Sequence, residues 1–100
     1  MQFQKVNNSY IVHVEKGEKV MESLTIFCKE NNINSAQLAG IGAVKNIDIG
    51  AYDITTKDYV HRYFDEILEL LSFQGNVAIK DGEPFLHAHI TLGNHDMNLN

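Results

Sequence analysis

The sequence has one cysteine, one proline, a shortage of basic side chains and no long apolar run. Each shortage excludes something. The single thiol, Cys28, can close no internal disulfide and build no cysteine-rich zinc motif. No apolar stretch approaches the roughly 18 residues that a membrane-spanning helix needs. The first residues, MQFQKVNNSYIVHVEKG, lack the pattern of a signal peptide, so a cytoplasmic protein is expected. Asn7-Asn8-Ser9 is then a chance match to a glycosylation sequon. Eight lysines and arginines face thirteen carboxylates, for a formal net charge of −5. Lys45, Lys57, Arg62 and Lys80 are scattered, so no basic stripe of the kind nucleic acid selects is visible.

The strongest positive signal lies between Gln74 and Gly93, in QGNVAIKDGEPFLHAHITLG. Asp81-Gly82 sits between two apolar-rich runs and predicts a two-residue type I′ hairpin, in which both central residues need positive φ. Such a turn sets Lys80 against Glu83 and Val77 against Leu86. It also sets Asn76 against His87, Gln74 against His89 and Leu71 against Leu92. Side chains alternate between faces along a strand. One face then collects Leu71, Phe73, Val77, Ile79, Leu86, Ala88, Ile90 and Leu92. The other collects Ser72, Gln74, Asn76, His87, His89 and Thr91. One apolar and one polar face is the pattern of a half-buried antiparallel pair. Lys80 opposite Glu83 adds an opposite-charge pair.

The rest of the chain reads in order. Ser9 to Val14 is β-branched and strand-like, and Lys16-Gly17 ends it. Glu18 to Asn31 carries Val20, Leu24, Phe27 and Cys28 at helical spacing, with Met21 and Ile26 flanking them. Glu18 and Glu22 fall in its early turns, where the helix dipole favours carboxylates. Asn31-Asn32 is a plausible stop, since Asn tolerates the left-handed conformation. Ser35 to Val44 reads as a glycine-containing strand. Its Gly40-Ile41-Gly42 fails the dinucleotide fingerprint, because Lys45 stands where the third glycine belongs. Ile47 to Tyr52 and Tyr59 to Tyr63 are strands joined by a turn at Thr55 to Asp58. Asp65 to Leu71 suits either helix or strand. The expected fold is α+β: one domain over 1–100, a mostly antiparallel sheet and one main helix near 18–31.

Chemistry can be sought at few places. His87 and His89 lie two apart on one strand, which projects both imidazoles from one face with bases ~6–7 Å apart. That spacing suits two ligands of one divalent ion such as zinc, with further ligands coming from elsewhere. Gln74 and Asn76 could orient the imidazoles from the neighbouring strand. His95 could add a third ligand if the tail folded back. His13 and His61 read as ordinary strand residues. Glu69 falls, by the same alternation, on the apolar face with Leu71 and Phe73. There it would be either beyond the buried part of the sheet, paired, or perturbed as functional carboxylates are. No catalytic triad, nucleophile elbow or Cys–His pair is legible.

Several stretches resemble the PPC (plants and prokaryotes conserved) domain family. They are KGEKVMESLTIFCKENNINSA, LAGIGAVKNIDIGAYD, the KDY beginning at Lys57, ELLSFQGNVAIKDGEP and LHAHITLGNHD. The resemblance covers nearly the whole chain in order. It implies a curved, mostly antiparallel sheet packed with one helix, a homotrimer, and a strand rather than a helix at Asp65 to Leu71. Prokaryotic members are commonly labelled DNA-binding, and plant members accompany AT-hooks, of which this chain has none. In some relatives a His-x-His pair, matched here by His87 and His89, joins a third histidine from a downstream Gly-Gly-His segment around a metal ion. This sequence stops at Asn100, where that segment and a final strand would be expected, so the site and the sheet would both lack a part. Three functions follow. The first is an oligomeric domain with a metal or small-ligand face. The second is a DNA-binding regulator. The third is a metal-dependent hydrolase, with Glu69 as a possible base.

Overall fold

The computed structural model of the protein describes residues 1–45, 47–53 and 58–94. They form an α+β fold. The elements are β1 (Gln2–Val6), β2 (Ser9–His13), α1 (Val20–Glu30), β3 (Ala36–Val44), β4 (Ile47–Asp53), β5 (Asp58–Phe64), β6 (Leu68–Lys80) and β7 (Glu83–Gly93). Among the described residues β1 pairs with β2, β4 pairs with β5, and β3, β6 and β7 form a three-stranded sheet in that order. No described helix is long and apolar enough to cross a membrane. The chain divides into two compact units: Met1–Gln37 with Gly75–His87, and Leu38–Gln74 with Ala88–Asn100.

The first unit contains a strand that periodicity does not predict. β1 and β2 pair antiparallel from Gln2↔His13 to Val6↔Ser9. Asn7, at φ 56°, turns the chain between them, in a region that Asn enters more readily than most residues. Asn7-Asn8 is therefore a two-residue hairpin turn, with Ser9 already in β2. Phe3 and Tyr10 from this hairpin meet Phe27 of α1 edge to face, at centroid distances of 4.9 and 5.1 Å. Such pairs add roughly 0.5–1.5 kcal/mol each beyond the area they bury. Phe27 and Cys28 are the buried residues of α1, and Val77 and Leu86 are buried in the same unit. The expected burial of Cys28 is observed, and burial pushes its thiol pKa up.

The C-terminal end of the helix follows from local chemistry. Asn31 closes it by donating its backbone N–H and its side-chain amide to the Phe27 carbonyl, at 3.0 and 2.9 Å. Asn32 takes φ 55°, and the Ile33 N–H reaches back to the Cys28 carbonyl at 2.8 Å. This is a Schellman motif with Asn in the left-handed position. The helix starts two residues later than expected, at Val20. Glu18 lies outside it and serves a different purpose. Its carboxylate accepts from the Met1 ammonium at 2.9 Å and from the Glu15 N–H at 2.8 Å. Those bonds hold the Glu18 carboxyl below its usual range and raise the Met1 amine above its own.

The second unit holds β4, β5, most of β3 and parts of β6 and β7. β4 and β5 pair antiparallel from Ile47↔Phe64 to Asp53↔Asp58, so Asp58 belongs to the strand rather than to the expected turn. Thr55 to Lys57 lie outside the described residues. Among the described residues, the buried apolar side chains of this unit are Leu68, Leu70, Phe73 and Leu92. Their numbering carries information. Leu68 and Leu70 are even, Phe73 is odd, and Val77 continues the odd series. Glu69 and Leu71 between them are exposed. The inward face thus shifts by one residue between Leu70 and Phe73, which is the signature of a β-bulge. Uninterrupted alternation had placed Leu71 and Glu69 on the apolar face. In the structure Leu71 is 45 % exposed and Glu69 points outward as well. Asp65 to Ile67 precede the strand, which begins at Leu68.

Candidate functional site

The site residues are positioned by the turn that joins β6 to β7. Asp81 and Gly82 are the only residues between the strands, and they have φ 53° and 79°. Both central residues are positive, as a type I′ turn requires. A two-residue connection can only join antiparallel neighbours. Burial agrees with the register it sets, because Val77 and Leu86, expected to face each other, are both buried.

One expected pair at the turn does not form. Glu83 carries its carboxylate to Lys29 of α1, at 3.0 Å. Lys80 instead sets its ammonium over the Phe85 ring, 4.9 Å from the centroid. A long cation beside an exposed ring gains from the ring quadrupole while staying hydrated. The cross-strand partner is one option among several within reach of a lysine stem. Ile79, assigned to the apolar face, is 46 % exposed near the hairpin end.

His87 and His89 are both exposed on β7, separated by the half-buried Ala88. Leu86 before them is buried. Alternation therefore holds through this stretch, and both imidazoles leave the strand on its outer face. His87 belongs to the first unit with Asn76, its cross-strand partner by register. His89 belongs to the second unit with Gln74. Asn76 and Gln74 are exposed too. Exposure is thus common to His87, His89, Gln74 and Asn76. Glu69 also faces outward, but it stands about four residue steps along β6 from Gln74 once the bulge is counted, roughly 13 Å. That is beyond the reach of an ion held at His89 within one chain.

No group of three or more potential metal-binding side chains occurs among the described residues. The two imidazoles are borderline donors of the type zinc accepts, and two of them supply half of a tetrahedral set. His13 is exposed at the end of β2, opposite Gln2. His61 lies on β5 opposite Gly50. His95 lies outside the described residues.

Sequence periodicity overlooked the groove beside β3. An open cavity of about 390 Å³ is lined by Ala39, Gly40 and Ile41 of β3 and by Leu71 to Gln74 of β6. The available signal was the run from Ser35 to Val44, which carries no charged side chain.

The comparisons agree with this fold. A solved "putative DNA-binding protein" from Bacteroides thetaiotaomicron is similar at 31 % identity and TM-score 0.94, over 99 % of this chain and 69 % of its own. A plant- and prokaryote-conserved (PPC) protein from Pyrococcus horikoshii is similar at 40 % identity and TM-score 0.84, over 87 % of this chain and 61 % of its own. A metal-containing protein from Archaeoglobus fulgidus is similar at 38 % identity and TM-score 0.81, with the same coverage of 87 % and 61 %. This chain thus spans between three fifths and seven tenths of the length of these proteins. No curated protein matches it. The Plants and Prokaryotes Conserved (PCC) domain matches over residues 1–99, and the chain belongs to that family.

Proposed function

We propose that this chain is a PPC-type assembly domain whose His87/His89 face holds a divalent metal, zinc fitting best, or a small ligand. One observation carries the proposal. Two exposed imidazoles stand two residues apart on the outer face of a strand whose register is set by a type I′ turn. Residues two apart on a strand project from one face, which brings two donors to the same side. Asn76 and Gln74 lie beside them by register, where their amides can fix the imidazole orientation. The similar protein from Archaeoglobus fulgidus is described as metal-containing, which supports the metal over an organic ligand. Two histidines leave two positions of a tetrahedral set to water, a bound ligand, a second copy of the chain or residues beyond those described. A bound ion would bring Lewis acidity to this face; the chain's own part is to hold and orient it. By its family resemblance the assembly is a homotrimer.

The test is elemental analysis of the purified protein followed by zinc titration of the wild type and the His87→Ala/His89→Ala double variant. Bound metal, and binding weakened at least tenfold in the variant with its circular dichroism unchanged, is the expected outcome. No metal, and equal titrations for both proteins, would sink the proposal.

A second function has one observation in its favour, the DNA-binding description of the similar Bacteroides protein. The net charge of −5 opposes it. Phosphate contacts must appear as a salt slope, so a duplex-binding assay at low and moderate salt separates the two functions. Salt-dependent binding favours this second function, and no binding at low salt removes it.

A further inference from the structure

We infer that Asp81–Gly82, at the tip of the β6–β7 hairpin, is a site of spontaneous backbone isomerisation, at which the aspartyl link passes through a succinimide ring to an isoaspartyl link. The turn that sets the hairpin register is then also the place where the chain ages. Three observations carry the inference.

The first is the pair itself. Asp81 is the only Asp or Asn of the sequence that is followed by glycine. Ring closure brings the next residue's nitrogen to the side-chain carboxyl, and any side chain larger than glycine's hydrogen crowds that approach. The surroundings are open as well, because no heavy atom lies within 4 Å of where a Gly82 Cβ would stand. The second is that the reacting groups are not held. Lys80 sets its ammonium over the Phe85 ring and Glu83 reaches Lys29. Among the described residues no hydrogen bond or ion pair ties the exposed Asp81 carboxylate. A type I′ turn closes with a hydrogen bond from its fourth residue to its first, here Glu83 N–H to the Lys80 carbonyl, which leaves the Gly82 N–H outside the ladder.

The third is weak anchorage of the tip. Val77 and Leu86 are buried, but Ala78 to Glu83 and Phe85 are all exposed. This matters because the closed turn has the wrong shape for the reaction. As the mirror image of a type I turn, it sets the Asp81 ψ near about +30°, which carries the Gly82 nitrogen away from Cγ. Ring closure waits for the tip to open, and a tip with no buried side chain opens at little cost. Opening also releases Asp81 from φ 53°, a left-handed conformation.

The chemistry needs no co-reactant. The Gly82 nitrogen attacks Cγ of the Asp81 carboxyl in its acid form. The N–Cγ bond forms, and one carboxyl oxygen leaves as water with the carboxyl proton and the N–H proton. Water then adds back to the ring. Addition at Cγ breaks the N–Cγ bond and restores aspartate. Addition at the former main-chain carbonyl breaks that carbon's bond to nitrogen. The chain then runs through Cβ and Cγ, and the old carbonyl becomes a free carboxylate. One water leaves, one enters, and nothing is oxidised. The isomer has an extra atom in the main chain of a two-residue loop, whose length selects the turn type and the register.

The test holds the purified, folded chain at physiological temperature and maps its peptides over several weeks. The isomer shows as a shift in retention at unchanged mass, and as methyl uptake from labelled S-adenosylmethionine by an isoaspartyl methyltransferase. It should collect in the peptide that holds Asp81 at least fivefold faster than in any other. Asp81→Asn keeps the turn, because Asn-Gly suits type I′ as well. A neutral amide is attacked more readily than a carboxylate, so this variant should convert at least fivefold faster, with the mass gain of deamidation. The isomerised fraction, once separated, should unfold at a lower urea concentration than the parent. Isomer spread evenly over the Asp and Asn peptides overturns the site. Isomer at Asp81 only in urea-unfolded chain overturns it too, and shows that the closed turn protects the pair. An isomerised fraction as stable as its parent overturns the consequence for the hairpin.

Discussion

Strands β7 and β3 are both rich in apolar residues, yet they are buried differently. Along β7, buried Leu86 gives way to exposed His87, half-buried Ala88 and exposed His89. Along β3, five residues in a row are exposed. Alternation marks a strand whose core is supplied by its own chain. A run of small and apolar residues without alternation marks a strand that buries no face along that stretch. The same contrast separates two surfaces: a polar row carrying His87 and His89, and an uncharged groove beside β3.

The largest effect should come from the inward side of β7. Leu86→Ala empties a buried site and should cost about 2–5 kcal/mol in urea unfolding. Ile41→Ala in dilute protein should stay within about 0.5 kcal/mol of the wild type, as exposed substitutions do. Equal losses at the two positions would break the comparison. Next is the turn that sets the β7 register. Gly82→Val forces a β-branched residue to φ 79° and should cost about 1–2 kcal/mol, read as a lower unfolding midpoint at unchanged m-value. No loss there would mean that the turn does not set the register.

The smallest effect tests a feature that neither strand uses. Glu18 has a lowered pKa in the folded chain, so its contribution is fully present above the ordinary carboxylate pKa and is lost as pH falls through the depressed value. The Met1 amine is raised above 8.0, so its contribution is complete below 8.0 and is lost as pH climbs past the raised value. Glu18→Gln should flatten stability at both limbs while the Leu86 and Ile41 differences stay the same. A pH profile unchanged by Glu18→Gln would show that the ammonium–carboxylate contact contributes nothing in solution.

Much of this was legible in the sequence because the local signals were strong. Asp-Gly between apolar runs located the β6–β7 turn, and an Asn pair after an amphipathic stretch located the end of the helix. β1 was not legible. Its apolar Phe3 and Val6 break a period of two, and an Asn-Asn turn is a weaker signal than Asn-Gly. The bulge in β6 was hidden because alternation assumes that no residue is inserted, and only burial shows the switch at Leu71. Glu18 was misplaced because its partner is the chain's own amine, which no side-chain pattern reveals. The candidate site was half legible. The spacing of His87 and His89 fixed their shared face, but Glu69 could be placed only once the bulge was known.

Cys28 has a use that follows from its surroundings. It is the chain's one thiol, it is buried beside Phe27 in the helix, and burial keeps it in the unreactive protonated form. A thiol reagent therefore reaches it only when that part of the protein opens. In the unmodified sequence, its labelling rate is a built-in clock for the opening of the first unit.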